Sequence, residues 1–347
     1  MSEADAGGIT INRIKPSIGI PGGEVTIYCD GLRPLHLEED SLCFCGSPSH
    51  IEGASTHKLV THIPETVNDD QVYFRDNGNR VSNIHRYTIP ECIAQVVHHV
   101  GNPAVSNDGE IFATFSGTSG QLTPVSVFRV IDAQRKVPII SGIMNATSLY
   151  WGHDNSLYIT SRYDGTLYSS DAEGNFHIFS QGLGEAFGIC MDSKGALFVG
   201  DRSGTVFKVD GTGRADFFAR LPASPIAYHL AIDSKDNLFV TAPLQIGENS
   251  IYKIDPAGNI TLFLTDLAEF HGIAIDSDDA IFVAETNRGR GSVMRIDPES
   301  RERRCLLSGE DVVGLVFAGN GDLLLATFSR LYRLTAAQVK KMCEEED

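Results

Sequence analysis

A phrase of about twelve residues recurs along the chain, and this repeat constrains the fold more than any other feature. Each copy has an apolar stretch, a polar turn centred on Asp or Asn, and a second apolar stretch. The copies read PAVSNDGEIFAT (103–114), LYWGHDNSLYIT (149–160), ICMDSKGALFVGD (189–201), LAIDSKDNLFVTA (230–242), IAIDSDDAIFVAE (273–285) and LVFAGNGDLLLAT (315–327). Their equivalent second-strand residues Phe112, Tyr158, Phe198, Phe239, Phe282 and Leu324 are spaced 46, 40, 41, 43 and 42 residues apart. Units of this length match the four-stranded blades of a β-propeller.

The repeats are suited to strands rather than to helices. In the third copy, short apolar stretches at 188–192, 196–201, 205–209 and 215–220 alternate with Gly- and Asp-containing turns. This pattern is typical of antiparallel strands, so each unit has room for four. A solenoid also produces repeats, but its ends need capping units. We therefore expect a closed ring of six blades.

The two ends of the ring are expected to meet in one blade. The last unit offers only three strands, at 313–318, 323–327 and 330–334, while the segment 94–100 precedes the first unit without a blade of its own. We expect 94–100 to close the last blade, because this removes a free sheet edge. The propeller domain then spans 91–334, and 335–347 forms a short helix or tail with Thr335 at its N-cap.

Residues 1–90 do not repeat and are expected to form a separate domain. Strands are predicted at 9–14, 25–28, 42–45, 59–63 and 81–89. They make a small β-sandwich of ordinary domain size. The sequence thus predicts an all-β protein with a sandwich domain at 1–90 ahead of the propeller.

The composition excludes several classes of partner. The chain has 28 basic and 45 acidic residues, for a net charge of −17, and no basic tail. Nucleic acid and anionic membranes require a cationic surface, so neither is an expected partner. No apolar run is long enough to span a membrane, and the acidic start is unlike a secretory signal. Seven cysteines without a metal-binding pattern indicate reduced thiols in the cytoplasm, with a processed secreted form as the alternative.

The start of each first strand and the end of each second strand should meet at one face of the ring, near the mouth of its channel. The residues that begin the first strands are Gly101, Thr147, Phe187, Tyr228, His271 and Val313. The residues at the next position are Asn102, Ser148, Gly188, His229, Gly272 and Gly314. Glycine recurs at three of the six, which indicates that the strands crowd there.

Charged residues from four units converge on this mouth. His271 with Glu285 is a candidate acid–base pair, and His229 is a second candidate base because it replaces a recurrent glycine. Arg162 and Arg202 begin equivalent turns and are the candidate clamp for an anionic substrate. The alternatives remain open: the arginines can pair with carboxylates of neighbouring blades, and His271 with Glu285 can be a structural hydrogen bond.

Four further residues complete the candidate substrate site. They are Asp201, Tyr228, Asn102 and Ser116. Asp201 can instead pair with a turn arginine, and Tyr228 can pack in the channel wall. Ser116 opens the loop 116–121, whose sequence SGTSGQ lengthens the first unit and is expected to act as a lid or a flexible rim.

The propeller phrases FGICMDSKGALFVGD (187–201), VFKVD (206–210) and HGIAIDSDDAIFVAE (271–285) resemble those of the senescence-marker-protein/gluconolactonase family and of NHL-repeat proteins, over about 93–334. The resemblance implies a divalent cation in the channel, such as calcium, magnesium or zinc, held by a Glu from an early blade and by Asn and Asp residues at later strand starts. Of the matching positions here, only Asn102 and His271 have ligand chemistry, so the ligand set is incomplete. Related propellers use His and Glu with a metal for lyase chemistry, which suits His229, His271 and Glu285, with His271 and Glu285 as the metal ligands.

The first 90 residues resemble an immunoglobulin-like IPT/TIG domain. The matching segments are ITINRIKPSIGIPGGEVTIYCDGL (9–32), SLCFCGS (41–47) and KLVTHIPE (58–65). The resemblance implies a unit that binds, spaces or dimerises, so a protein partner or a second copy of the chain is expected to use the sandwich.

Two functions follow from these observations. The first is a hydrolase or lyase acting on a small polar or anionic substrate at the channel mouth, with a gluconolactonase-like fold. The second is a non-catalytic scaffold that binds a ligand or a protein. Loss of activity on changing His229, His271 or Glu285, with the fold intact, would discriminate between them.

Overall fold

A computed structural model of the chain describes residues 8–34, 37, 41–76, 79–224, 228–242, 249–266 and 268–345. Within these residues the protein is almost entirely β, with one α-helix near the C-terminus. No helix in the described part of the chain is long and apolar enough to cross a membrane.

The N-terminal part contains two small antiparallel sheets. Its strands are β1 (Thr10–Lys15), β2 (Glu24–Asp30), β3 (Leu42–Phe44), β4 (Ser47–Pro48), β5 (Ile51–Ala54), β6 (Lys58–His62), β7 (Gln71–Asp76), β8 (Asn79–Arg80) and β9 (His85–Arg86). One sheet has the order β1-β2-β6-β5, and the other joins β4, β3, β7 and β8, with β9 also paired to β7. Alternate residues of each sheet, such as Ile27 and Phe74, point into one shared core.

The prediction of a strand at 81–89 is wrong. The structure has only the two-residue β9 there, and the longer strand β7 lies at Gln71–Asp76, which the sequence reading missed. Tyr87 explains the error, because it is buried in the sandwich core with its ring 4.9 Å from that of Phe44. The apolar residue Tyr87 therefore packs into the core from an irregular segment, and its burial does not require a strand.

Six four-stranded antiparallel sheets follow within the described residues. The strands of the first three are β11 (Ala104–Val105), β12 (Ile111–Thr114), β13 (Val127–Val130), β14 (Lys136–Ile140), β15 (Ala146–Trp151), β16 (Leu157–Ser161), β17 (Thr166–Ser170), β18 (Phe176–Ser180), β19 (Ala186–Met191), β20 (Leu197–Asp201), β21 (Thr205–Val209) and β22 (Ala215–Arg220). Those of the next two are β23 (His229–Ile232), β24 (Leu238–Ala242), β25 (Asn249–Ile254), β26 (Ile260–Asp266), β27 (Glu269–Ile275), β28 (Ile281–Asn287), β29 (Arg290–Ile296) and β30 (Arg303–Ser308). The last sheet joins β31 (Val312–Phe317), β32 (Leu323–Thr327), β33 (Arg330–Leu334) and β10 (Glu91–Gln95).

The first strands of these sheets contact one another around a closed cycle. Each of β11, β15, β19, β23, β27 and β31 contacts the next, and β31 contacts β11. This is the arrangement of a β-propeller, with the first strands innermost around a central channel.

The closing strand lies earlier than predicted. It is Glu91–Gln95, paired with β33, and not 94–100. The chain leaves this outer strand because it must turn inward to begin the first inner strand. Along the way His98 forms a parallel bridge with Phe115, and the backbone NH of His99 donates to the carbonyl of Phe328. The two histidines therefore lie at the seam between the last and the first sheets.

The repeated aspartates build the turns between first and second strands. The Asp192 carboxylate accepts hydrogen bonds from the backbone NH groups of Lys194 and Ala196, at 3.0 and 2.8 Å. Asp233 and Asp276 make the same bonds in the next two sheets. The recurrence of Asp in the sequence is thus a structural requirement of the turn.

The helix α1 (Ala336–Glu345) is capped by Thr335. The Thr335 hydroxyl accepts from the NH of Gln338, and the Gln338 side chain accepts from the NH of Thr335, which is a capping box. Val339 and Met342 bury the helix against the core of the last two sheets.

The N-terminal part, with its two sheets, is joined directly to the propeller. Ile18 and Ile20 belong to the same core as residues of the fifth and sixth sheets. The Ile20 NH donates to the Ser308 carbonyl at 2.9 Å, and Ser308 bridges Gly19.

Candidate functional site

The inner strands close the channel to a narrow ring at the recurrent glycines. A Cβ placed on Gly188 or Gly314 would lie 2.4 Å from a carbonyl oxygen of the next sheet, and one on Gly272 would lie 2.7 Å from the Cα of Gly314. Such distances leave no room for a side chain. The ring separates the mouth, where the first strands begin, from the channel on the side of the Asp turns.

Asn102 takes the place of glycine in this ring and holds its seam. Its side-chain oxygen accepts from the NH of Leu315 in the last sheet at 3.1 Å. Its own NH donates to the Ser148 hydroxyl of the second sheet at 3.3 Å. Asn102 therefore connects three sheets, and the structure places it in the framework of the ring.

His229 also replaces a recurrent glycine, and it is buried. Its ring packs edge-on against Phe187, with 5.1 Å between the ring centres. Burial, with a smaller contribution from the nearby His271, lowers the pKa of His229 to about 3. The imidazole is therefore neutral at physiological pH, and its Nδ1 atom has no hydrogen-bond partner among the residues that the structure describes.

His271 is half-buried at the same mouth. Its Nε2 atom lies 3.3 Å from the hydroxyl of Thr286, and its carbonyl accepts from the Thr241 hydroxyl at 2.9 Å. Burial lowers the pKa of His271, while the carboxylates of Glu269 and Asp311 act in the opposite direction. A neutral, partly accessible imidazole is a competent proton acceptor.

The structure does not bring Glu285 to His271. If the pairing of Ile273 with Val283 continued regularly, His271 would stand opposite Glu285. A bulge between Phe270 and Ile273 places Phe270 there instead. Because a shift of one residue turns side chains to the other face of a strand, the acid–base pair expected from the sequence is not formed.

Glu285 instead faces the boundary with the N-terminal domain. It is 6 % exposed, and its Oε1 atom lies 3.5 Å from the Ser292 hydroxyl. Burial raises the pKa of Glu285; the cation of Arg303 lowers it and the carboxylate of Asp266 raises it further.

Arg162 and Arg202 share one side of the mouth with Glu185. Arg202 forms an ion pair with Glu185 at 3.1 Å. Burial lowers the pKa of Arg162; the charge of Glu185 opposes this shift, and that of Arg202 adds to it. Arg162 donates to the Gly117 carbonyl at 3.3 Å. The three groups form a charged cluster with one more cation than anion.

Asp201 and Tyr228 hold the backbone. The Asp201 carboxylate accepts from the Glu185 NH at 2.8 Å and from the Ser203 hydroxyl. The Tyr228 hydroxyl donates to the Pro222 carbonyl, and the whole side chain is buried. Neither side chain is presented to a ligand in this arrangement.

The loop that begins at Ser116 is hydrogen-bonded to the second sheet through Asn145. The Asn145 side chain donates to the carbonyls of Gly117 and Thr118, both at 2.9 Å, and accepts from the Gly120 NH at 2.8 Å. Ser116 itself is fully buried. A single amide thus fixes the loop from three directions.

Polar residues that stand two positions before five of the six strand starts are absent from the site predicted from the sequence. Asn145, Glu185, Glu269 and Asp311 all occupy this position, and so does His99. His99 is fully buried, and within the described part of the chain neither of its ring nitrogens has a hydrogen-bond partner. Aligning the six units two residues further back would have revealed this set.

The residues at the mouth do not fit the divalent cation that the gluconolactonase resemblance implies. Of the corresponding positions, Asn102 is engaged with Leu315, the Thr147 hydroxyl donates to the Asn145 carbonyl, and Tyr228 donates to Pro222. His271 alone remains, and the described residues contain no group of three His, Cys, Asp or Glu side chains that could hold a metal. One ligand makes no site.

Beyond the glycine ring, the channel on the side of the Asp turns is a cavity of about 230 Å³. The inner strands of all six sheets line it, mainly with apolar residues such as Tyr150, Ala231, Ala274 and Val316. Its titratable lining residues are Tyr150 and Cys190, and burial raises the pKa of both. Both groups therefore stay protonated, and acid–base chemistry belongs to the mouth.

Comparison with solved structures supports the propeller fold. No protein-family model matches this chain, and no curated protein sequence does. The PQQ-bound aldose sugar dehydrogenase of Streptomyces coelicolor is 18 % identical, with a TM-score of 0.54 over 70 % of this chain and 95 % of that one. Virginiamycin B lyase of Staphylococcus aureus is 16 % identical, with a TM-score of 0.51 over 72 % and 84 %.

A third structure is similar over both parts of the chain. It is an auxiliary nutrient binding protein of Bacteroides ovatus, 9 % identical, with a TM-score of 0.52 over 94 % of this chain and 97 % of that one. At these identities the similarity concerns the fold alone. The similar structures include both enzymes and a binding protein. The function of this chain must therefore be inferred from its site and not from its fold.

Proposed function

We propose that this chain is a propeller-based enzyme, a hydrolase or lyase, that acts on a small polar or anionic substrate at the channel mouth. The observation that supports this function is the neutral imidazole of His271, half-buried at the mouth with Nε2 beside the Thr286 hydroxyl. The same end of the ring carries the cations of Arg162 and Arg202.

Each group has a role that its surroundings support. His271 is the proton acceptor, taking a proton from water in a hydrolase or from a carbon beside a carboxylate in a lyase. Arg162 and Arg202 bind the anionic group of the substrate, since charge-assisted hydrogen bonds from guanidinium are strong. His229 and Phe187 form a wall of the mouth, because their rings pack against each other. Burial lowers the pKa of His229 and keeps its imidazole neutral.

The second candidate is a non-catalytic ligand-binding protein. The observation that favours it is the use of Asp201, Tyr228 and Asn102 in backbone hydrogen bonds, together with the displacement of Glu285 to the domain boundary. The mouth then has charges for binding, and His271 is the accessible base among its described residues.

We propose that the N-terminal part is an immunoglobulin-like sandwich of the IPT/TIG type. Two sheets that share one core support this assignment. Since Ile18 and Ile20 fix it to the propeller, it would present its outer face to a protein partner or a second copy at a constant orientation.

The deciding experiment measures turnover of lactone and carboxylate substrates by the wild type, His271→Ala and His153→Ala. His153 is an exposed histidine in an Asp turn and serves as the matched control. We expect His271→Ala to lose about 100-fold or more in rate, and His153→Ala to retain the wild-type rate. Saturable binding without turnover in all three proteins would support the binding function instead.

A further inference from the structure

A cleft of about 620 Å³ lies where the N-terminal sheet meets the fifth propeller sheet. Lys15 and Glu24 line it from the sandwich, and Arg288, Arg290 and Arg303 line it from the propeller. Its size is within the range of small-molecule sites, about 300–1,000 Å³, which occur preferentially at domain boundaries.

A local extension of the fifth sheet builds one wall of this cleft. β28 and β29 have seven residues each, whereas β16 and β17 of the second sheet have five. The additional residues carry the hairpin tip, Asn287 to Arg290, to the cleft. The shorter strands of the second sheet show that the repeat itself does not require this extension.

Contacts across the boundary hold the cleft in one shape. Arg290 pairs with Glu24 at 2.9 Å, and the Ile20 NH donates to Ser308. A Cβ on Gly23 would lie 2.6 Å from the Ser308 carbonyl oxygen, so the two domains meet closely here. A site formed before its ligand arrives loses less free energy to ordering.

The charge of the cleft opposes that of the protein. Its described lining has four basic side chains, including Lys15, against the three acidic ones of Glu24, Asp266 and Glu285, while the whole chain carries −17. Arg303 pairs with Asp266, as Arg290 does with Glu24. Arg288 is exposed at the hairpin tip, and no ion pair or hydrogen bond engages it within the described structure.

Glu285 adds a buried polar group to the wall of the cleft. Its equivalents Ser161 and Asp201 bond to the backbone of their own sheets. Glu285 makes no such bond, and its one hydrogen-bond partner among the described residues is the Ser292 hydroxyl at 3.5 Å. A carboxyl that is 6 % exposed and so weakly bonded is available to a ligand hydroxyl.

We propose that this cleft binds a small organic oxyanion, a carboxylate or a phosphate ester that also carries a hydroxyl group. The Arg288 guanidinium binds the oxyanion, since its planar donors suit both groups. Glu285 hydrogen-bonds the hydroxyl. The acidity of the surrounding surface excludes long polyanions and leaves the site to small ones.

Isothermal titration calorimetry of the full chain with citrate and with glycerol 3-phosphate tests the proposal. We expect at least one of them to bind, and Arg288→Glu to weaken that binding about tenfold or more. Arg214→Glu is the matched control, because it makes the same charge change at an exposed arginine on the rim of the third sheet. Binding of citrate alone identifies a carboxylate ligand, and binding of glycerol 3-phosphate alone identifies a phosphate ester.

Glu285→Ala provides a second test. Removing a negative charge should by itself strengthen the binding of an anion, so weaker binding would show the loss of a specific hydrogen bond. We expect the variant to weaken the binding of glycerol 3-phosphate or citrate and to leave inorganic phosphate unaffected, because inorganic phosphate has no carbon-borne hydroxyl. Circular dichroism confirms that each variant is folded. Absence of binding by both probes at millimolar concentration, or equal affinities for Arg288→Glu and Arg214→Glu, would overturn the proposal.

Discussion

At the scale of single residues, burial decides what the histidines can do. His99 and His229 are enclosed, and burial lowers the pKa of each to about 3. His271 is half-buried and has carboxylates nearby, so of these three histidines it combines access with a neutral ring. A histidine in a sequence gives no sign of which of these it will be, because the enclosing residues come from other sheets.

The two buried histidines should make the protein sensitive to acid. Their pKa values are lower in the fold than the ordinary value of 6.5, so the unfolded chain binds more protons below that pH. Stability is therefore lost as pH falls from about 6.5 towards about 3, by up to about 1.4 kcal/mol per pH unit for each histidine. We expect His229→Gln to reduce this slope in urea unfolding measured across that range. An unchanged slope would show that His229 is not enclosed.

Gly314 is required by the closeness of the strands around the ring. A Cβ there would lie 2.4 Å from the Gly101 carbonyl oxygen, so Gly314→Ala should destabilise the protein by about 1–3 kcal/mol. Gly319→Ala in the same sheet is the control, since nothing lies within 4 Å of its Cβ. Urea unfolding of the two variants measures the difference, and equal stabilities would contradict the narrow ring.

At the scale of elements, an Asp turn joins the first two strands in the third, fourth and fifth sheets. Asp192 is buried and accepts from two backbone NH groups and from the Lys208 ammonium at 3.1 Å. Neighbouring turns are also joined, because Ser193 donates to Asp236 and Ser234 to Asp279. The turns of the third, fourth and fifth sheets are therefore linked to one another.

Loss of one turn carboxylate should be measurable. Asp192→Ala leaves two part-buried NH groups without their acceptor, and we expect a loss of about 1 kcal/mol or more, since a fully buried group costs about 1–3 kcal/mol. Asp216→Ala is the control, since this aspartate is exposed on the outer strand β22, where surface changes usually stay within about 0.5 kcal/mol. Thermal unfolding of both variants gives the comparison. A midpoint equally changed in the two would mean that the turn bonds contribute little.

At the scale of the whole molecule, the sandwich and the ring share part of one core. Ile18 and Ile20 leave the sandwich to pack with residues such as Leu307 and Val312 of the last two sheets. The ion pairs Arg290–Glu24 and Arg330–Glu65 lie at the edges of the same contact. The ring is closed by β10, which directly follows the sandwich in the chain.

This shared core predicts that the two domains unfold together. Scanning calorimetry of the wild type should show one transition, because neither domain can leave without exposing Ile18 and Ile20. Ile20→Ala should cost about 2–5 kcal/mol and separate the transition into two. Ile178→Ala, at an exposed position on β18, is the control. Two transitions in the wild type would show that the domains are independent.

The sequence by itself determined what repeats. Spacing gave the six sheets, the recurrent glycines marked the crowded ring, and Thr335 marked the start of the helix, because turns, close approaches and caps depend on local chemistry. The tertiary structure decided that Glu285 and His271 do not pair, since a bulge in β27 places Phe270 opposite Glu285, and that Glu285 lines the boundary cleft. It also decided that Asp201 and Tyr228 serve the framework, and it created the boundary cleft. These outcomes depend on strand register or on contacts between distant segments. The spacing of a single repeat predicts neither register nor such contacts.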